Sequence, residues 1–234
     1  MTAEIRLLSI TAASIGFVHT VLGPDHYLPF VVMSRSGRWS SLKTALITVL
    51  CGLGHVLSSV ALGFIGIALG TAVAKLKAIE SVRGELAAWA LIAFGLVYMV
   101  WGIRRAIKHQ GHHGHLHIGK MTLHTDQPSN SVSVGNGGDE SNMTPWILFT
   151  VFVLGPCEPL IPLVMYPAAK SNIAGVAMVA GIFSAVTIAT MTAVVFVLRA
   201  GVSLVPLKHL ERYIHAIAGG TILLCGLSIR FLGL

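Results

Sequence analysis

The residues most able to do chemistry stand inside apolar sequence: His19, Asp25, His26, His55, Cys157 and Glu158. Asp25 and His26 follow Gly23-Pro24, and Cys157 and Glu158 follow Gly155-Pro156. The two stretches, Val21-Leu22-Gly23-Pro24-Asp25-His26 and Val153-Leu154-Gly155-Pro156-Cys157-Glu158, lie 132 residues apart. Proline has no N–H and clashes with the preceding turn, so each Gly-Pro pair frees backbone groups from a helix ladder. Hydrocarbon offers those groups no water, and each break must therefore line a cavity enclosed by protein. His19 precedes His26 by about two helical turns and shares a side with it if the chain bends modestly. Leu53-Gly54-His55 sets a third imidazole beside a glycine, where a neighbouring helix can approach closely. Three imidazoles and one carboxylate suit Ni²⁺, Co²⁺ or Zn²⁺, and sulfur from Cys157 would shift the preference toward softer ions.

Pro24 suits the first position of a half-helix, which would put Asp25 and His26 in its first turn, where the dipole favours an anion. The same geometry is expected for Cys157 and Glu158. An intramembrane histidine can simply hydrogen-bond a neighbouring helix, and a small buried thiol is common packing. Asp25 is harder to explain that way, because an acidic residue at mid-helix costs roughly 2.5–3.5 kcal/mol on insertion scales. Glu158 is expected to join Cys157 as a second-half site or a proton-coupling group. Cys51 and Cys225 read as packing, and no CxxC pair implies a disulfide framework. A separate cluster, His109, His112, His113, His115, His117 and His124, lacks the spacing of a structural zinc site and reads as an auxiliary, low-affinity metal loop.

The elements that must position these groups are membrane helices. With 54% hydrophobic and 11% charged residues and a mean hydropathy of +0.79, the chain lies far from soluble domains, in which about 25% of residues are charged. Apolar runs near 7–33, 42–74, 86–106, 145–169, 173–198 and 211–232 predict six transmembrane helices. The run 42–74 is too long for the bilayer and is expected to tilt, break or project. Glu4 beside Arg6, with no small-residue cleavage site after a short apolar core, reads as a helix of the mature protein and not a signal peptide.

Residues 107–143, rich in His, Gly, Ser and Asn, read as a flexible loop between a first unit, 1–106, and a second, 144–234. The units correspond beyond the Gly-Pro motif: an offset of 124 residues carries Gly95 and Gly102 onto Gly219 and Gly226. Three helices per unit is an odd number, so the second copy enters the membrane from the opposite side. The expectation is an all-α integral membrane protein, a 3+3 inverted repeat with helices 1 and 4 broken, and a site near the midplane where the breaks meet. The net charge of +7 comes from Lys and Arg at helix ends, not from one basic stripe, which argues against nucleic acid. Their bias toward one side predicts outside termini and a cytoplasmic central loop. No Walker motif is present, and no enzymatic activity is expected.

His19 to His26, HTVLGPDH, with Leu53-Gly54-His55, resembles the nickel/cobalt transporter family and, more closely, its UreH-like branch, related to a urease accessory protein. The resemblance implies ligand roles for His19, Asp25, His26 and His55, and secondary transport of Ni²⁺ or Co²⁺ as substrate, with no permanent cofactor. The chain departs from those permeases in having five residues between His19 and Asp25 instead of four, and six predicted helices instead of eight. The resemblance extends to the wider LysE-type superfamily, and LGPCEPLIPL is similar to the broken-helix motif of CcdA-type thiol carriers. Those carriers need a cysteine in each half, whereas Asp25 stands opposite Cys157. The superfamily likeness also admits an exporter of a small sulfur oxyanion, and the histidine loop a membrane metal chaperone. The implied setting is the inner (plasma) membrane. The implied partners are the bilayer, the metal ion, a metallochaperone or a metalloenzyme maturation factor, and further copies of the chain.

Overall fold

The computed structural model describes residues 3–70, 73–108, 140–155, 157, 159–170, 172–204 and 211–232. Among these the chain is all-helical: α1 (Ala3–Leu22), α2 (Leu28–Ser36), α3 (Ser41–Ala68), α4 (Val73–Lys108), α5 (Glu140–Leu154), α6 (Leu160–Ala169), α7 (Ile173–Leu204) and α8 (Ile214–Leu232). Short 3₁₀ turns at Pro24–His26 and Glu211–Tyr213 precede α2 and α8.

Among the described residues five helices are long and apolar enough to cross a membrane: Ala3–Leu22, Ser41–Gly66, Ala74–Lys108, Ile173–Ser203 and Glu211–Leu232. Large apolar side chains such as Leu7, Ile10, Phe17, Leu46, Leu57, Leu96, Val97, Val197 and Leu224 stand exposed on their outer faces. A surface so apolar belongs in lipid, and the chain is a multi-pass membrane protein. The shortfall from six predicted spans comes from the second break. The run 145–169 divides into α5 and α6, neither of which reaches spanning length, whereas α1 has 20 residues ahead of the first break.

Two boundaries differ from expectation. The helix predicted over 86–106 begins at Val73, so Glu80 and Arg83 lie inside it. The helix predicted over 42–74 ends at Ala68, about 42 Å long at 1.5 Å per residue.

Packing brings the two ends of the sequence together. Helix α4 lies along α8, α1 along α7, α3 against α5 and α7, and α6 against α7 and α3. The α4–α8 crossing is set by glycines: a Cβ at Gly95 would collide with the backbone of Leu223, one at Gly219 with that of Met99, one at Gly102 with that of Ala216, and one at Gly226 with that of Ile92. Small residues thus let these backbones touch, the usual device where lipid supplies no hydrophobic drive between helices. Two apolar clusters fill the interior, one around Phe30, Met33, Phe152 and Ile222 and one around Val56, Leu160, Val179 and Phe183. His55 lies on α3 between Cys51 of the first and Val56 of the second.

Candidate metal centre

The first break is built by its own residues. Gly23 is extended, at φ −87° and ψ 96°, and its N–H closes the last turn of α1 on the His19 carbonyl at 3.0 Å. Pro24 cannot donate to Thr20, and His26 donates to Gly23 at 3.1 Å instead of continuing the ladder. The freed Val21 carbonyl accepts the Tyr27 hydroxyl at 3.2 Å. A Cβ at Gly23 would fall 2.9 Å from Asp25 Oδ1 and onto the His26 ring, so the turn closes only around a glycine. The half-helix begins at Leu28, with Pro29 in its first turn, not at Pro24. Asp25 and His26 therefore occupy the turn ahead of α2 and not, as the sequence suggested, its first turn.

The second break is held from outside. In an unbroken helix Phe152 would accept from residue 156 and Gly155 from residue 159, but both are prolines. The Phe152 carbonyl instead accepts His55 Nδ1–H at 3.3 Å, alongside the Gly155 N–H at 3.1 Å. Arg83 Nη2 donates to the Val153 carbonyl at 2.7 Å and to that of Gly155 at 3.4 Å. The Cys157 N–H, which an unbroken ladder would send to Val153, goes to Glu80 Oε2 at 3.2 Å. Helix α6 starts only at Leu160, so Cys157, like Asp25, precedes its half-helix. Gly155 lets the break approach His55, whose Nδ1 would lie 3.0 Å from an added Cβ. At Gly54 the close neighbours are Val153 and Phe149 of α5.

These two breaks and α3 bring the predicted side chains together. The His19 and His26 rings meet edge to face at 4.8 Å between centroids, and those of His26 and His55 at 5.1 Å. His26 Nδ1 lies 3.2 Å from both Asp25 Oδ1 and the Gly23 carbonyl, and both can only accept. That fixes the proton on Nδ1 and leaves Nε2 with a free lone pair, and the Phe152 carbonyl does the same for His55. Nε2 of His19, His26 and His55 is buried in each case with no hydrogen-bond partner among the described residues. Three orphaned ring nitrogens on a chain of contacting rings need a reason.

Cys157 joins two of these histidines. One ligand atom each from His19, His55 and Cys157 lies within 4.8 Å of the others. At Zn–N near 2.1 Å and Zn–S near 2.3 Å, tetrahedral donors on one ion stand about 3.4–3.6 Å apart, so the set must draw in by about 1 Å to hold an ion. Asp25 meets the group through His26, as an orienting carboxylate of the kind that accompanies metal-ligating histidines. Nitrogen with sulfur suits a transition ion and not Mg²⁺ or Ca²⁺.

Pro156, Glu158 and the histidines of the central loop, His109, His112, His113, His115, His117 and His124, lie outside the described residues. Cys51 and Cys225 are buried free thiols. Glu80 and Arg83 fall in a stretch, 75–85, that apolar run length alone assigns to a loop. Opposite charges three residues apart, in register with the following apolar helix, are the signal that could have placed them. Arg199, which run length also assigns to a loop, lies inside α7 and donates to Thr44 Oγ1 and the Trp39 carbonyl, each at 2.8 Å. No protein-family model, curated protein or solved structure matches the chain.

Proposed function

We propose that the protein is a secondary transporter that carries a divalent transition-metal ion, Ni²⁺ or Co²⁺ foremost and Zn²⁺ next, across the inner membrane by alternating access. One observation carries the reading: His19, His55 and Cys157 each offer a ligand atom within 4.8 Å of the others, and the Nε2 atoms of His19, His26 and His55 are buried without partners among the described residues. Buried polar atoms without partners are costly in a membrane interior, and an ion passing through would complete them. In this account His19, His55 and His26 bind, Cys157 softens the site, Asp25 holds His26 in its binding tautomer, and Glu158 couples the cycle to protons.

Alternating access needs two units that can rock against each other. We assign them as α1–α4 and α5–α8, each a broken helix followed by two long ones, in an inverted repeat. Support comes from the α4–α8 crossing, where a shift of 124 residues carries Gly95 to Gly219, Met99 to Leu223, Gly102 to Gly226 and Ile92 to Ala216. The contacts Gly95–Leu223 and Gly102–Ala216 thereby exchange with Gly219–Met99 and Gly226–Ile92, as a two-fold relation requires. The pairs α1–α7 and α5–α3 exchange in the same way. The central histidine loop, on the cytoplasmic side in this scheme, would exchange ions with a metallochaperone or maturation factor.

Uptake of Ni²⁺ and Co²⁺ into proteoliposomes tests the reading. Saturable flux in the wild type that disappears in His55→Ala and survives deletion of residues 109–124 is expected. Absence of flux for Ni²⁺, Co²⁺ and Zn²⁺ alike would overturn it.

A further inference from the structure

Cys157 stands in a break, without a helix ladder to fix it, yet it meets two imidazoles from other helices. What holds it there is a buried ion pair on α4. Glu80 has no exposed surface and lies 2.5 Å from Arg83 Nη1; its other oxygen takes the Cys157 N–H at 3.2 Å. The remaining nitrogen of Arg83 grips the carbonyls just before Cys157, at Val153 and Gly155, and also Ser58 Oγ at 2.6 Å. Ser58 in turn donates to the His55 carbonyl at 2.8 Å, and Ser59 Oγ lies 3.4 Å from Arg83 Nη1. One guanidinium therefore ties the backbone around Cys157 to the helical turn that carries His55.

We propose that Glu80 and Arg83 are positioning residues that set the metal preference of the site by holding the Cys157 sulfur within reach of His19 and His55. The proposal rests on the metal-transport reading above. A buried ion pair is a poor device for stability alone, since an apolar pair of the same volume often does as well or better. Its value here is geometric: the planar fork of arginine reaches several acceptors in fixed directions, which an ammonium cannot reproduce. With sulfur in the set the site favours softer ions; without it, only imidazole nitrogens remain and the preference shifts toward harder ones. Glu80 and Arg83 neutralise each other, so they tune the site through the placement of Cys157 and not through net charge.

Absorption spectroscopy of the full-length purified protein loaded with Co²⁺ separates the possibilities. The wild type is expected to show visible ligand-field bands and a near-ultraviolet thiolate-to-Co²⁺ charge-transfer band. Arg83→Lys should keep bound Co²⁺ and its ligand-field bands while the charge-transfer band is lost. Cys157→Ser should give the same spectrum, and peptide mapping should find Cys157 newly alkylated by iodoacetamide in Co²⁺-loaded Arg83→Lys. Glu80→Gln, which keeps the volume and removes the ion pair, provides the same comparison if Arg83→Lys does not yield folded protein. A full charge-transfer band in Arg83→Lys or Glu80→Gln, or bound Co²⁺ without that band in the wild type, overturns this proposal and leaves the transport reading standing. A wild type that binds no Co²⁺ overturns the transport reading itself.

Discussion

The two helix breaks begin with the same four residues and are stabilised in opposite ways. The first is self-contained: Tyr27 returns to the Val21 carbonyl and His26 to Gly23, all within a few residues. The second depends on α3 and α4, which send His55, Arg83 and Glu80 to its freed carbonyls and amide. The difference follows from what comes after Gly-Pro. Asp25 and His26 can hydrogen-bond each other and their own turn, whereas Cys157 offers little beyond its backbone N–H. A motif that is locally closed presents finished ligands; one that is closed by its neighbours couples its geometry to them.

Breaking this contrast should be easiest at the second break. Arg83→Gln leaves the Glu80 carboxylate buried and unpaired, for an expected loss of about 3–5 kcal/mol in stability, read from thermal unfolding in detergent. A shift within error of wild type would mean that the break does not rely on α4. His55→Ala removes a ligand and the partner of Phe152 together, and should lower Co²⁺ affinity by more than about 100-fold, beyond the 10–100-fold typical of outer-shell partners. Calorimetric titration showing wild-type affinity would remove His55 from the site.

Smaller effects sharpen the first break. Asp25→Asn keeps the shape of the turn but weakens the acceptor that orients His26, and affinity should drop by about 10–100-fold with the fold intact. A drop beyond that range would make Asp25 a direct ligand. Tyr27→Phe should cost about 1 kcal/mol, one hydrogen bond, and leave metal affinity unchanged.

Much of this was legible in the sequence because it is local. Gly-Pro breaks, Asp25-His26 and the His19 spacing depend on residues close in the chain, and all three meet as their types imply. What was hidden depended on partners far away. Glu80 and Arg83 look like the charged edge of a span, and only the return of the second break against α4 draws them inside. The contact of Asp25 was hidden for a different reason: whether a carboxylate turns to its neighbouring imidazole or away from it depends on a turn geometry that composition does not encode. The sixth predicted span, 145–169, is divided by a break into two helices too short to cross alone.

The central claim is that residues from both breaks and from α3 hold one ion. X-ray absorption at the cobalt edge, on protein lacking residues 109–124 so that the histidine loop contributes nothing, tests it most directly. One Co²⁺ per chain is expected, with nitrogen scatterers at about 2.0–2.1 Å and one sulfur at about 2.3 Å. An all-oxygen shell, or loss of the bound ion with the loop, would contradict it.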